Sequence, residues 1–557
     1  MDSTLASQPA RYPRPRSSRV PWLSRRAAAK AKRRRAAFRL TAILLVLVAV
    51  ISSWFGTTRP TPAAGSAAGV AAAGFATAAF DPCAPARLIA SRELRGMWLT
   101  TVWNSDWPSK PGLPPDQVRR EYLGWLDLAA KLNHNAIFVH VRPSGDSFWP
   151  SAYVPWSKWL TGTDGADPGW DPMPFLVEEA HKRGIEFHAW FNPYKASQEG
   201  TIAKVPANHP LRTHPDWALT YPASGSGARL YYDPGIPAAR TYVEDSILEV
   251  VSRYDIDGVH FDDFFYPYPV KGQAFPDSKS FAQYGAGRKL GDWRRDNVNV
   301  FVREMHTRVK QLKPWVKFGI SPFGIWRNAD TDPLGSKTSG LQAYDAIYAD
   351  TRKWVQEGWL DYIVPQLYWH IGFDVADYAT LLTWWTALTK GSKVHLYIGQ
   401  ADYRIGESGA WKDPTQLDRQ IALNQASGVQ GSVHFTAHNL KADRLGAVTR
   451  YVQARNATPA LVPPMGAAAP PASPANPVVR QKNLTWSPGS GPAPARYAVY
   501  RADKPEDMLR LVAVIPAAER PSWTDPAPAP ADHYCVAALD RLWNASPASH
   551  SVTAPVF

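Results

Sequence analysis

Gly258-Val259-His260-Phe261-Asp262-Asp263-Phe264-Phe265-Tyr266 is a short apolar run that ends in two carboxylates followed by aromatics. Its composition predicts a buried strand. Burying an unpaired charge is costly, so a strand ending in Asp-Asp marks an opening where those charges meet solvent or a ligand. Side chains alternate along a strand, so His260 and Asp262 face one way and Phe261 and Asp263 the other.

Working outward from this run, seven more β-rich segments precede residue 440: Arg95–Val102, Asn135–Arg142, Glu186–Asn192, Lys317–Ser321, Asp361–Tyr368, Val394–Gln400 and Gly431–Thr436. Between them lie stretches with apolar residues near helical spacing, among them Gln117–Leu132, Phe175–Arg183, Thr241–Tyr254, Val298–Leu312 and Tyr344–Glu357. Lys182-Arg183-Gly184 and Ser427-Gly428 are helix stops placed just before a strand. Eight such units predict an α/β fold, a (β/α)8 TIM barrel over residues 91–455. The connections after strands two, three and four are long and rich in Trp, Tyr, Pro and Gly, and in this fold the loops after strands build the active face.

Residues 456–476 read as a Pro/Ala-rich linker, and residues 477–557 as a small all-β sandwich with strand-like runs such as Arg496–Arg501 and His533–Leu539. At the other end, residues 1–39 carry 12 Lys/Arg against the single acid Asp2, so +11 of the formal charge of +14 lies in this leader. Basic residues before an apolar run over 40–56 form a membrane-targeting pattern, either a signal anchor or a cleaved signal peptide, and an Ala/Gly/Pro-rich spacer follows over 57–90. The concentrated charge therefore does not call for nucleic acid. The localisation expected is the extracytoplasmic cell envelope, with the membrane as a partner through the apolar segment.

Cys83 and Cys535 are the two cysteines, which excludes CxxC zinc patterns; outside the cytoplasm they could pair, and two isolated thiols are the other reading. His434, His438 and His260 lack the spacing of a zinc hydrolase, so no metal and no cofactor is expected. The absence of a P-loop, of GxGxxG after a strand and of GxSxG argues against nucleotide-dependent and esterase chemistry.

Parity along the strands gathers polar residues at their ends: Arg142, Trp190 with Asn192, His260 with Asp262, and Gln366 with Tyr368. Polar groups converging beside aromatics suit a saccharide. Nineteen of the 24 tryptophans lie between Trp98 and Trp411, and those on the loops after strands one and two, Trp103 among them, are expected to form a surface for sugar rings rather than core. Glycoside hydrolysis needs two carboxyl groups, one acid and one nucleophile or base. Asp262 is the candidate nucleophile or base. No Glu stands at the exit of strand five, where Ser321-Pro322-Phe323-Gly324 lies, so the acid has to come from Asp263, Asp146 or Asp402. Asp263 and Asp146 are the preferred choices. Substrate contacts are expected from Arg142, Asn192, His260, Gln366, Tyr368, Trp103, Trp190 and Asp402.

The motifs Glu93-Leu-Arg-Gly-Met-Trp-Leu-Thr-Thr-Val102, Asn104-Ser-Asp-Trp-Pro108, Arg142-Pro-Ser-Gly-Asp146, Ala189-Trp-Phe-Asn-Pro193 and Asp257–Tyr266 together resemble the bacterial glycosyl hydrolase-like 10 family. The resemblance covers about residues 92–455. It implies a TIM barrel acting on glycan, with peptidoglycan strands of the envelope as substrate and the strand-four acidic pair at the centre. Strand four is also similar to that of α-amylase-like glycosidases, which aligns their nucleophile with Asp262; His260 stands where those enzymes carry Arg. The tail resembles a fibronectin type III module through Tyr497-Ala-Val-Tyr500 and His533–Asp540. The function expected is an exported or membrane-tethered glycoside hydrolase. The alternative is a glycan-binding scaffold on the same barrel, and a third reading is a structural envelope protein working through its sandwich.

Overall fold

The computed structural model describes residues 81–223, 227–466, 468–504, 506–527 and 533–553. The basic leader, the apolar segment 40–56 and most of the spacer lie outside them. Among the described residues no helix is long and apolar enough to cross a membrane.

Eight parallel strands are found among the described residues: β1 (Leu94–Leu99), β2 (Ala136–Arg142), β3 (Glu186–Phe191), β4 (Gly258–Phe261), β5 (Lys317–Ile320), β6 (Tyr362–Ile363), β7 (His395–Leu396 continuing as Ile398–Gln400) and β8 (Gly431–His434). They pair in sequence order, with β8 against β1. The break in β7 at Tyr397 leaves the sheet nearly closed, and it is bridged by the Tyr397 N–H on Ile363 C=O and the Gly399 N–H on Pro365 C=O. Each strand is followed by a helix: α1 (Pro115–Lys131), α2 (Pro172–Lys182), α3 (Pro237–Arg253), α4 (Leu290–Leu312), α5 (Thr351–Gln356), α6 (Tyr378–Thr389), α7 (Gln416–Ala426) and α8 (Ala447–Arg455). This is the barrel read from the sequence. Strand six is shorter than the expected Asp361–Tyr368, because Pro365 has no N–H to add to the ladder.

Amphipathic spacing explains the outer layer. In α1, Val118, Tyr122, Leu126 and Ala129 recur every three or four residues and are buried against the barrel. Asp171 caps α2 by accepting the Met173 N–H at 3.1 Å, and Asp377 caps α6 by accepting from Thr380 at 2.9 Å.

The C-terminal strands form two sheets. One joins Leu509–Pro516, Arg496–Ala502, His533–Leu539 and Ser549–His550, with Leu88–Ile89 added in parallel at its edge; the other joins Ser522–Thr524, Asn483–Ser487, Ala475–Arg480 and Val552–Thr553. This module packs directly on the base of the barrel. Trp543, Tyr500 and Leu511 share one buried core with Trp98, Phe138 and Tyr362 of the barrel. Within the stretch read as a linker, Ala460–Leu461 pairs with Ser91–Arg92. Arg496 donates to Asp257 at 2.8 Å, both side chains buried, and Cys83 and Cys535 form a disulfide.

Candidate active site

Interior side chains stack in levels whose order follows the strand register. His188 is level with Gly258 and Lys317; one step up, Trp190 is level with His260, Gly319 and Tyr362. Asp262, two residues beyond His260, therefore opens into the mouth at the C-terminal end of β4, as its parity requires. The mouth is formed where the strands end and their loops begin.

At that level the Trp190 indole N–H donates to Asp262 Oδ2 at 3.2 Å, and the Phe264 amide donates to Oδ1 at 2.9 Å. Trp190 is held by stacking on His140, with ring centroids 3.8 Å apart and planes 6° apart. Asp263 turns toward the opposite wall. Its Oδ1 accepts the Gln366 Nε2–H at 3.1 Å, and its Oδ2 takes a short hydrogen bond from the Tyr268 hydroxyl. The two carboxyls thus belong to different walls of one opening.

Burial pushes Asp262 up to about 8, with the neighbouring Asp263 charge adding to it and the Trp190, Phe264 and Lys195 contacts opposing it. Burial also raises Asp263, against the Tyr268 and Gln366 hydrogen bonds, which favour its ionised form. Like charges this close do not both ionise readily, so near neutral pH the pair retains a proton and titrates as a unit.

Gln366, Trp190 and Asp263 are in direct contact with the pair or belong to it. Asn192 meets the ring that backs Trp190, its Nδ2 3.4 Å from His140 Nε2. Tyr368 is half-buried against Tyr403 and Phe435, with centroids at 5.8 and 5.9 Å. His260 sits one level beneath the mouth, fully buried, where it supports the floor.

Arg142 is also fully buried; its Nη1 donates to the carbonyls of Asn192 and Pro193 at 2.8 and 3.1 Å and so shapes the chain leaving β3. Asp146 accepts the Ser144 N–H at 2.8 Å and holds the loop after β2, and burial raises its pKa against the Ser157 and Ser144 hydrogen bonds. Asp402 is not brought to the pair. Its carboxylate meets His434 Nδ1 at 3.0 Å, and His434 stacks on Tyr451 of α8 in the helix layer.

The loop tryptophans differ from the expectation of an open aromatic surface. Trp107 and Trp149 are fully buried, their indole N–H groups satisfied by Val118 C=O at 3.0 Å and Glu249 at 2.8 Å, so they hold loops onto helices. Trp103 is the exposed one among these, 59% exposed and packed on Trp159 at 4.9 Å between centroids.

Two site residues were not singled out in the sequence. Tyr268, five residues beyond Asp263, reaches back to it. Lys195 stands on a small antiparallel sheet in the connection after β3 (Lys195–Ser197, Arg229–Tyr232 and Ala218–Tyr221), its ammonium 5.4 Å from the Phe264 ring centre. Burial lowers Lys195 to about 8, against the attraction of Asp262. The signal available was its place three residues after Asn192 in Asn192-Pro-Tyr-Lys195. No cluster of His, Cys, Asp and Glu able to hold a metal occurs among the described residues.

Residues 93–417 match the glycosyl hydrolase-like 10 family. Glycosyl hydrolase YngK of Bacillus subtilis (strain 168) is 45% identical over 481 residues, which cover 83% of this chain and 93% of that protein. Glycosyl hydrolase DigH of Escherichia coli (strain K12) is 39% identical over 391 residues, covering 66% of this chain and 88% of that one. The PgaB (BpsB) glycoside hydrolase domain from Bordetella bronchiseptica overlays with a TM-score of 0.43 and 15% identity, over 65% of this chain and 98% of that domain; a likeness at that level distinguishes no chemistry.

Proposed function

This chain belongs to the glycosyl hydrolase-like 10 family and is a glycosidase, and from that premise we propose that it cleaves peptidoglycan glycan strands outside the cytoplasm with Asp262 and Asp263 as its working carboxyls. The observation that carries the assignment of residues is the pair itself: two buried carboxyls at the end of β4, one bonded to Trp190 and the other to Gln366 and Tyr268.

The raised pKa of Asp262 favours it as the proton carrier, able to protonate the leaving glycosidic oxygen. Asp263, held by the Tyr268 and Gln366 side chains, then carries the negative charge that stabilises the oxocarbenium-like transition state or activates the nucleophile. This assignment reverses the roles read from the strand alignment. Asp146 is left to loop support, and Trp103 offers an exposed ring to a sugar face.

The Cys83–Cys535 disulfide supports a location where thiols oxidise, in keeping with the basic leader and apolar segment of the sequence. The C-terminal sheets fit a fibronectin type III-like sandwich whose role here is to close the barrel base rather than to space it from other partners.

The position after β5 favours a second reading. Ser321, where a Glu was sought, spends its hydroxyl on His260 and its carbonyl on Gln366, which suits a glycan-binding scaffold. Reducing-end release from purified peptidoglycan, intact and stripped of stem peptides, distinguishes the two. Release by the native protein and its loss in Asp262→Asn establishes the hydrolase; equal pelleting with glycan and no release by either protein establishes the scaffold.

A further inference from the structure

Beneath the carboxyl pair a file of hydrogen bonds runs along the barrel interior, its upper bond meeting the Ser321 carbonyl and its lower bonds starting from the Ser321 hydroxyl. Gln366 Nε2 joins Asp263 to the Ser321 carbonyl at 2.8 Å, and the Ser321 hydroxyl lies 3.0 Å from His260 Nε2. His260 Nδ1 is 3.2 Å from the Tyr362 hydroxyl, which is 2.9 Å from His188 Nδ1. His188 Nε2 is 3.0 Å from Glu186, which also receives Lys317 and, at 2.6 Å, the Trp543 indole from the C-terminal module.

Glycines make room for this file. A Cβ at Gly258 would lie 2.3 Å from His188 Nδ1, and one at Gly319 would lie 2.1 Å from the Tyr362 ring.

The direction of the bonds is fixed by Trp98. Its indole N–H, 3.2 Å from His260 Nε2, can only donate. His260 Nε2 is therefore bare, which lets the Ser321 hydroxyl donate to it at 3.0 Å, a shorter contact than the one this hydroxyl makes to the Phe261 carbonyl at 3.4 Å, and the His260 proton sits on Nδ1. That proton goes to the Tyr362 oxygen, so the Tyr362 O–H points to His188 Nδ1 and His188 Nε2–H points to Glu186. From Ser321 to Glu186, every O–H and N–H points to the base and every lone pair to the mouth.

We infer that Ser321 and Tyr362 are positioning residues, members of a one-way hydrogen-bonded file beneath the Gln366–Asp263 contact that turns the negative ends of its dipoles toward the carboxyl pair. The inference rests on the pair being the working site. Dipoles oriented this way favour a proton on the pair. Burial alone would raise Glu186, but Lys317 and His188 hold it down to about 2, so the file ends on a fixed anion.

The other groups facing the pair are Lys195, Tyr268 and Tyr368, with His140 behind Trp190 and Asp146 acting on Lys195. Those facing the base are Lys317, Asp257, Asp361, Arg496 and Tyr397. None is altered by the variants that test the file.

Tyr362→Phe and Ser321→Ala each remove one hydroxyl, and Tyr378→Phe serves as a control in the helix layer, where the Tyr378 hydroxyl meets Gln400 and Asn424. The apparent pKa of the pair is read by infrared titration of the carboxyl band, assigned with Asp262→Asn and Asp263→Asn, and the pH profile of reducing-end release is read alongside it. The expected result is a downward shift of about half a pH unit in both file variants and none in Tyr378→Phe. Titrations of folded Tyr362→Phe and Ser321→Ala that coincide with the native curve overturn the inference. If the shift is seen while no protein releases reducing ends, the file stands and the hydrolase reading falls.

Discussion

The Trp190 indole N–H and Asp262 Oδ2 are joined at 3.2 Å across the β3–β4 pairing, with Trp190 clamped by His140 at 3.8 Å. A rigid aromatic donor thus aims one carboxyl while Gln366 and Tyr268 aim the other. The arrangement gives two neighbouring residues in sequence two distinct surroundings, the condition under which paired carboxyls divide acid and base roles.

Asp262→Asn keeps the size and the acceptor for Trp190 but cannot release a proton. Reducing-end release is expected to fall by about 100- to 10,000-fold with glycan binding retained. Kinetics and a pelleting assay on the same preparation check both halves.

The same residue leaves a mark on stability. In an unfolded chain Asp titrates near roughly 3.9, whereas Asp262 in the fold is raised to about 8. Between these values the native state holds a proton that the unfolded state has lost, so this group's contribution to stability is intact at the acidic end and is lost as pH rises to about 8. Asp262→Asn should therefore match the native Tm at or below about pH 4 and exceed it increasingly as pH rises to about 8. Equal pH dependence of Tm in the two proteins would remove the case for a raised carboxyl.

Asp257 is buried with Arg496 at 2.8 Å, His181 at 2.7 Å and the Phe187 amide at 2.8 Å. Arg496→Met strips a buried anion of its permanent cation and should cost roughly 3–5 kcal/mol, part of it regained in Arg496→Met/Asp257→Asn. Denaturant unfolding of the single and double variants provides the comparison.

Cys83→Ser/Cys535→Ser, or reduction of the native protein, frees a connection 452 positions apart in sequence. A loss of about 2–5 kcal/mol is expected, with release activity unchanged below the lowered Tm. Thermal melts with and without reductant measure it.

Short apolar runs bounded by turn residues made all eight barrel strands readable, because such a run survives translation into a strand buried on both faces. Parity likewise carried Asp262, Trp190 and Gln366 to one opening. What stayed hidden depends on contacts between distant segments. Asp402 looked like a mouth residue by its place after β7, yet His434 on the next strand draws its carboxylate into the helix layer. Trp107 and Trp149 looked like exposed platforms until α1 and α3 supplied partners for their indoles. Glu186 opens a buried strand on the same parity as His188 and Trp190, a visible anomaly whose meaning required Lys317 and Trp543.

Glu186 and the indole that completes its shell lie 357 positions apart. During synthesis every barrel strand leaves the ribosome before Trp543 exists, so the base of the barrel waits on residues made well after its last strand, β8. A nascent chain of this protein spends its elongation unfinished at the bottom, and a product stopped short of Trp543 would present to proteases a barrel with its floor open.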